Sequence, residues 1–355
     1  MPKKEKAGEK NSENPSFFKR HEFLLSFLFF LIFFSVLALI SLDLFSPRLL
    51  TCGDGSFYDS CSFVKPYYCD NGSLVEKASL CGCSESDKIQ GESCMNQLQT
   101  GPKEVNLSYT LFGVEKTVNF TVYKGMEDYL SKLPQSISYD NGQAPSRENF
   151  SMRDINQEQQ QELLLPLVIE IENMTNDKTD QARIAVSLVQ NIAYGASNRT
   201  VRLFGLSVNY SRYPYDVLYD SQGLCGEKSE LLAFLLKGIG YDTVLFYFPT
   251  ENHEAVGIKC PMQYSYDKTG YCFVETTGPA IISDSSMQYV GGITLQSQPE
   301  IINVSSGISL RDDLREYQDA RTLANIREGK FVLFAGSKFE SLKREYGLTE
   351  YYYIK

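Results

Sequence analysis

Three short stretches in the second half of the chain decide the fold: GLCGEKSELLAFLLKGIGYDTVLF (223–246), NHEAVGIKC (252–260) and YCFVETT (271–277). In the first, a turn precedes a leucine-rich run that stops at Gly238 or Gly240, which predicts a helix with Cys225 at its start. Apolar segments after it predict three strands, TVLFYF, EAVGIKC and YCFVETT. The pattern therefore predicts an α+β core in which a helix with an N-terminal cysteine packs on an antiparallel sheet.

Cys225 and His253 are the residues most suggestive of chemistry. A thiol at a helix N-terminus faces the positive end of the helix dipole and unsatisfied backbone N–H groups, and both favour the nucleophilic thiolate. The chain has two histidines, and the other, His21, precedes a long apolar run. A base that titrates near neutrality suits proton transfer to and from a thiol. The alternatives are a small buried cysteine and an exposed histidine in a turn.

Glu275 and Gln222 complete the candidate site. Glu275 ends the last of the three strands, and adjacent antiparallel strands could place it beside His253 to orient the imidazole. Glu254 is the competing acid, although strand alternation turns it away from its neighbour His253. Gln222 could donate to an oxyanion together with the Cys225 backbone N–H, and its alternative is an ordinary turn residue. Such a site needs no metal and no organic cofactor.

The three stretches resemble the transglutaminase-like superfamily, a branch of the papain-type cysteine architecture, over roughly residues 155–285. They are most similar to membrane-attached archaeal members with a cysteine-rich module upstream. The resemblance implies that Cys225 is the nucleophile, His253 the general base and Glu275 the orienting acid. The acid of the superfamily is usually Asp, and the Trp that follows the nucleophile in animal transglutaminases is Gly226 here, in a chain without Trp. Transfer to a lysine amine is therefore not implied.

These features predict a thiol-dependent amide hydrolase or acyl transferase that acts through a thioester on a peptide or protein at the cell surface. The alternative is a non-catalytic surface binding or scaffold protein on the same fold. A net charge of −10 argues against nucleic acid as a partner, because phosphate contact needs a basic face. The substrate and the oligomeric state stay open.

The cysteines indicate an oxidising compartment. All nine follow the apolar run, and six lie in residues 51–96, a segment too short to bury a large core without disulfides. Zinc is the alternative, but only one close-set pair is present where two are needed. Cys260 and Cys272 flank a loop between two predicted strands and are expected to pair, which leaves Cys225 free or bridged to a second chain. The six residues of the predicted disulfide-rich module are Cys52, Cys61, Cys69, Cys81, Cys83 and Cys94.

Residues 23–42, FLLSFLFFLIFFSVLALISL, are uncharged and could span a hydrocarbon core of about 30 Å as one helix. A cleaved signal peptide and a buried core helix are the alternatives, but the run is longer than a signal sequence needs and no Ala-x-Ala site follows. Lys19 and Arg20 precede it, which predicts a cytoplasmic tail at 1–22 and an extracellular remainder of a single-pass membrane protein. Eight N-x-S/T sequons after the run suit a glycoprotein.

The remaining segments divide as follows. A β-hairpin with a short helix is predicted for 103–150, ending in a polar loop after 135, and the transglutaminase-like domain with a C-terminal extension for 154–355. Within this domain the sequence predicts helices at 154–175 and from 177 to 195, a tyrosine-rich loop at 197–221, and charged helices near 311–328 and 338–346.

Overall fold

The computed structural model describes residues 26–37, 50–84, 87–140, 142–203, 205–286, 294–330 and 335–349. The chain forms two compact units, residues 1–84 with 89–94 and residues 85–88 with 95–355. The described helices are α1 (26–37), α2 (Ala78–Cys81), α3 (Lys124–Leu130), α4 (Arg147–Ile155), α5 (Glu158–Met174), α6 (Lys178–Asn191), α7 (Pro214–Asp220), α8 (Cys225–Ile239), α9 (Arg315–Arg327) and α10 (Ala335–Tyr346). The described strands are β1 (Tyr67–Asp70), β2 (Ser73–Glu76), β3 (Asp87–Gln90), β4 (Ser93–Asn96), β5 (Pro102–Leu111), β6 (Val114–Tyr123), β7 (Ala193–Tyr194), β8 (Thr200–Leu203), β9 (Leu206–Asn209), β10 (Gln222–Gly223), β11 (Thr243–Phe248), β12 (His253–Lys259), β13 (Tyr271–Val274) and β14 (Glu300–Ser305).

Helix α1 lies inside the predicted membrane span at 23–42. The ends of that span, 23–25 and 38–42, and the predicted tail at 1–22 fall outside the described residues. Among the residues that the structure describes, no helix has both the length and the apolar character needed to cross a membrane.

The cysteine-rich segment is held together by three disulfides. They join Cys52 to Cys69, Cys61 to Cys81, and Cys83 to Cys94. Strands β1 and β2 form an antiparallel hairpin, whose turn places Asn71 and Gly72 at positive φ, as a tight two-residue hairpin turn requires. Few apolar side chains are buried in this segment, so the disulfides supply the constraint that a hydrophobic core would otherwise give.

A four-stranded antiparallel sheet in the order β13-β12-β11-β14 forms the centre of the second unit. Helix α8 packs on β11 and β12 with one face and on α6 with another. The helix is apolar on most of its sides and its leucines are buried, as expected for a helix enclosed between two layers. The helix ends at Ile239 and is followed by Gly240, whose φ of 105° suits a residue without a Cβ. The second unit therefore has the mixed α+β class predicted from the sequence.

The β5–β6 hairpin forms a second sheet that covers α6. Leu107 pairs with Val118 and Val105 with Phe120, and all four side chains are buried. Alternate residues on both strands are exposed, so the hairpin is amphipathic, and α6 packs against β5. The hairpin and the helix after it, α3, lie in the segment where the sequence predicts them.

Two predicted segments differ in detail. The predicted helix at 154–175 is two helices, because α4 ends at Ile155 and α5 begins at Glu158. Helix α4 starts inside the predicted polar loop, where a reciprocal hydrogen-bonded cap between Ser146 and Asn149 begins it. The predicted loop at 197–221 holds the β8–β9 hairpin and α7, which starts with Pro214, a residue favoured in the first turn of a helix. The C-terminal helices α9 and α10 lie close to their predicted positions.

Candidate active site

Cys225 is the first residue of α8, next to the sheet. The N-terminus of the helix is capped by Glu227, whose Oε2 accepts a hydrogen bond from the Leu224 backbone N–H at 2.9 Å. Buried Arg212 in turn holds Glu227, donating from its backbone N–H at 2.9 Å and from Nη1 at 3.1 Å. The Cys225 thiol is partly exposed and is the free cysteine of the nine. The helix thus begins with a partly exposed cysteine that forms no disulfide.

His253 begins β12 and lies buried beside Glu275, which directly follows β13. The His253 Nε2 and Glu275 Oε2 atoms are 2.9 Å apart. The other carboxylate oxygen, Oε1, accepts hydrogen bonds from the Thr277 backbone N–H at 2.7 Å and from its hydroxyl at 2.6 Å. Glu275 is therefore fixed by the turn that follows it, and it fixes the ring of His253.

The first turn of α8 is tied to both of these strands. The Thr276 hydroxyl donates to the Cys225 carbonyl at 3.4 Å. The Ser229 hydroxyl donates to the carbonyl of Glu254 at 3.1 Å. These bonds bring the helix N-terminus, the start of β12 and the end of β13 together, close enough for the Cys225 side chain to raise the pKa of His253. Because Nε2 is occupied by Glu275, Nδ1 is the ring nitrogen that remains for the Cys225 sulfur.

The charges of the site favour a protonated imidazole. Burial acts to lower the pKa of His253, but its hydrogen bonds to Cys225 and Glu275 outweigh burial and raise the pKa to about 10. Burial acts in the opposite sense on Glu275, yet hydrogen bonds from His253 and Thr277 keep the pKa of this carboxyl below its ordinary value. The His253 imidazolium is thus flanked by a carboxylate on one side and the thiol sulfur on the other.

Glu254, the competing acid, has a different partner. It is fully buried on the other face of β12, and its Oε2 accepts a hydrogen bond from Arg147 Nε at 2.8 Å. Arg147 Nη2 also lies 3.3 Å from Glu230 Oε1. A Cβ on Gly226 would lie 2.7 Å from Arg147 Nη2, so a larger residue there would displace the guanidinium. Arg147 therefore occupies the space beside Gly226, the residue that follows Cys225.

Gln222 lies in the short strand β10, which pairs in parallel with β7. Its Oε1 is 3.5 Å from Arg212 Nη2, and a Cβ on Gly195 would lie 1.9 Å from its Nε2. The amide thus packs against Gly195, and any larger residue at position 195 would displace it. The oxyanion role of Gln222 stays a prediction.

An open cleft of about 200 Å³ lies beside Cys225 and His253. It is lined further by polar and aromatic side chains that the sequence analysis did not single out: Arg147, Ser211, Glu230, Tyr247 and Asn252. Tyr194 is a further neighbour, since burial and then the charges of Cys225 and Glu275 raise the pKa of its hydroxyl. No spacing rule links residues 147 or 194 to the thiol, because their approach depends on tertiary packing. No cluster of three or more metal-ligating side chains occurs among the described residues.

Comparison with known proteins gives weak similarities. No protein-family model and no curated protein matches the chain. Among solved structures, it is similar to a “putative protease” from Parabacteroides distasonis, with 14% identity and a TM-score of 0.27 over 59% of this chain and 40% of that one. It is also similar to calcium-bound LapG from Legionella pneumophila, with 10% identity and a TM-score of 0.20 over 44% of this chain and 97% of that one. The first match spans less than half of that protein's length, and TM-scores this low establish neither a shared fold nor a shared activity.

Proposed function

We propose that the second unit is a cysteine-dependent amide hydrolase or acyl transferase of the transglutaminase-like class. In this proposal Cys225 is the nucleophile, His253 the general base and acid, and Glu275 the residue that orients the imidazole. The observation that supports it is the position of His253, whose Nε2 lies 2.9 Å from Glu275 Oε2 and whose pKa is raised by Cys225 as well as by Glu275. Nucleophile, base and orienting acid in this order are the arrangement that activates a thiol.

In the first step, the Cys225 sulfur attacks the carbonyl carbon of an amide while His253 holds the proton of the thiol. A carbon–sulfur bond forms, and the carbonyl oxygen becomes an oxyanion that the backbone N–H groups at the start of α8 can stabilise. The carbon–nitrogen bond then breaks as His253 Nδ1 gives its proton to the departing amine. The products are a free amine and a thioester on Cys225.

In the second step, water or a second amine attacks the thioester. His253, now neutral, accepts the proton of the attacking group, and the carbon–sulfur bond breaks to release an acid or a new amide. The thiolate and the imidazolium are restored, and the Glu275 carboxylate stabilises the imidazolium each time it forms. The open cleft next to the thiol gives the substrate room on the side lined by Arg147 and Tyr247.

Acyl-enzyme capture tests this chemistry without knowledge of the substrate. The purified full chain is mixed with p-nitrophenyl acetate, and nitrophenol release and intact mass are followed. We expect a burst of nitrophenol and one acetyl group on Cys225, with a much smaller burst for His253→Ala and none for Cys225→Ala. Glu300→Gln, an exposed change on β14, is the control. Equal bursts in all variants would refute the proposal and favour a non-catalytic binding or scaffold protein.

We also propose that residues 23–42 anchor the chain in the cell membrane with the second unit outside. The support is the uncharged run itself and the basic residues before it, together with the disulfides beyond it, which persist in oxidising compartments. Carbonate extraction and protease treatment of intact cells test this. We expect the chain to stay with the membrane and its C-terminal part to be cleaved. Release by carbonate would contradict the anchor.

A further inference from the structure

Lys228 is a fully buried lysine one turn along α8 from Cys225. Its Nζ donates hydrogen bonds to the backbone carbonyls of Ile192 at 2.6 Å, Gln190 at 3.3 Å and Thr277 at 3.3 Å. Within the described part of the chain, all three of these acceptors are backbone carbonyl oxygens. Burying an ammonium group costs free energy unless the group is hydrogen bonded. The three hydrogen bonds of Lys228 offset that cost and connect α8 to the backbone at residues 190, 192 and 277.

The three carbonyls belong to segments that carry the site. Thr277 donates both its backbone N–H and its hydroxyl to Glu275, so Lys228 reaches the Glu275 carboxylate through a single residue. Gln190 acts on the same turn, because its Nε2 donates to the carbonyls of Glu275 at 2.9 Å and of Ala280 at 3.1 Å. One ammonium group therefore joins the helix that bears the thiol to the turn that bears the acid.

The pKa of Lys228 also indicates that its ammonium group lies near Glu275. Burial lowers the pKa of Lys228 to about 7, and the negative charge of Glu275 opposes that fall. Lys228 and Glu275 are thus two buried opposite charges that lie close to each other. An apolar side chain of similar length would fill the same space at less cost, so packing alone does not explain a lysine here.

We propose that Lys228 is a positioning residue, which holds the turn at Glu275–Thr277 in register with α8 and so keeps Glu275 aimed at His253. The inference rests on the proposed function, because it assigns Lys228 a part in activating Cys225. Lys228 acts through Glu275 and does not touch the substrate. Replacing Lys228 should therefore slow the reaction of the Cys225 thiol only in a protein whose Glu275 still orients the imidazole.

A double-mutant cycle tests this. The rate at which iodoacetamide alkylates Cys225 is measured on the full chain at a pH of about 6, where Lys228 is protonated. The variants are Lys228→Met, Glu275→Gln and the two combined, with Lys237→Met as a control on a partly exposed lysine of the same helix. Circular dichroism verifies that each variant is folded.

We expect each single change to slow alkylation by about tenfold and the double variant to be no slower than Glu275→Gln alone, because contacting residues in one network are not additive. The control should alkylate at the wild-type rate. Rates that multiply in the double variant, or an unchanged rate for Lys228→Met, would overturn the positioning role. An unchanged rate for Glu275→Gln would instead overturn the proposed triad, so the two failures are distinguishable.

Lys228→Gln, which retains an amide donor without the charge, replaces the methionine variant if that variant does not fold. An unchanged alkylation rate for Lys228→Gln would equally overturn the positioning role.

Discussion

Replacing Glu275 by Gln removes one charge from the centre of the site and puts an NH2 group in the place of one carboxylate oxygen. The side chain keeps its volume and an oxygen that can accept the two hydrogen bonds from Thr277. The carboxylate is fully buried and lies 2.9 Å from His253 Nε2. Removing one partner of a buried ion pair costs about 3–5 kcal/mol. The Gln oxygen that keeps the Thr277 bonds leaves the NH2 group facing Nε2, to which a protonated imidazole cannot donate, so we expect a loss of at least about 3 kcal/mol. An equivalent loss would move the His253 pKa of about 10 down to about 8.

Two measurements follow this change. An NMR titration of the imidazoles gives the pKa of His253, with His21 as the second histidine of the chain, and urea unfolding followed by circular dichroism gives the free energy of unfolding near neutral pH. Glu300→Gln, which neutralises an exposed carboxylate on the same sheet, controls for the loss of a negative charge. If Glu275→Gln behaves like this control in both measurements, the ion pair with His253 contributes nothing and the electrostatic reasoning is refuted.

Three further predictions concern the same unit. His253 has a pKa raised from 6.5 to about 10, so its stabilisation is complete below a pH of about 6.5 and is lost as the pH rises through about 10. Glu275 has a lowered pKa, so its contribution to stability is present above a pH of about 4.5 and is lost as the pH falls through its folded-state pKa. Urea unfolding across the pH range should therefore show maximum stability between the folded-state pKa values of Glu275 and His253. A flat profile would contradict the assignment. Replacing both Cys260 and Cys272, whose disulfide closes a 12-residue separation, by Ala should reduce the free energy of unfolding by about 3 kcal/mol, and an unchanged urea midpoint would show that the bond does not constrain the unfolded chain. Gly195→Ala should cost about 1–3 kcal/mol by overpacking the Gln222 amide, and a neutral effect on thermal unfolding would mean that the amide moves freely.

The sequence predicts the centre of the fold because its signals there are local. The leucine run after Cys225 ends at a glycine, and the strands after it are short and apolar, so both can be read without knowledge of distant residues. The disulfide between Cys260 and Cys272 is also present, since it depends on the hairpin between two neighbouring strands. The split between α4 and α5 has a weak sequence signal, because α5 is capped by Gln157, which accepts a hydrogen bond from the Gln160 backbone N–H and is not one of the usual N-cap residues.

The residues of the candidate site also fall into those with a local sequence signal and those without one. Cys225, His253 and Glu275 can be selected from the sequence because they lie at the ends of adjacent elements, and such ends meet at one edge of the fold. Arg147 could not be selected, since it reaches Glu254 across 107 positions of sequence. Lys228 was also missed, because a lysine in the first turn of a helix is usually exposed, and only tertiary packing places the carbonyl acceptors around it.

The alkylation rate of the thiol tests the central claim most directly. Full-length wild-type protein and the His253→Ala variant are treated with iodoacetamide near neutral pH without reductant, and modification of Cys225 is followed by mass spectrometry, with Cys225→Ala as the unlabelled reference. If His253 activates the thiol, the wild-type protein should be alkylated at least about tenfold faster than the variant, because the thiolate is the reactive form. Equal rates in the two proteins would contradict the account.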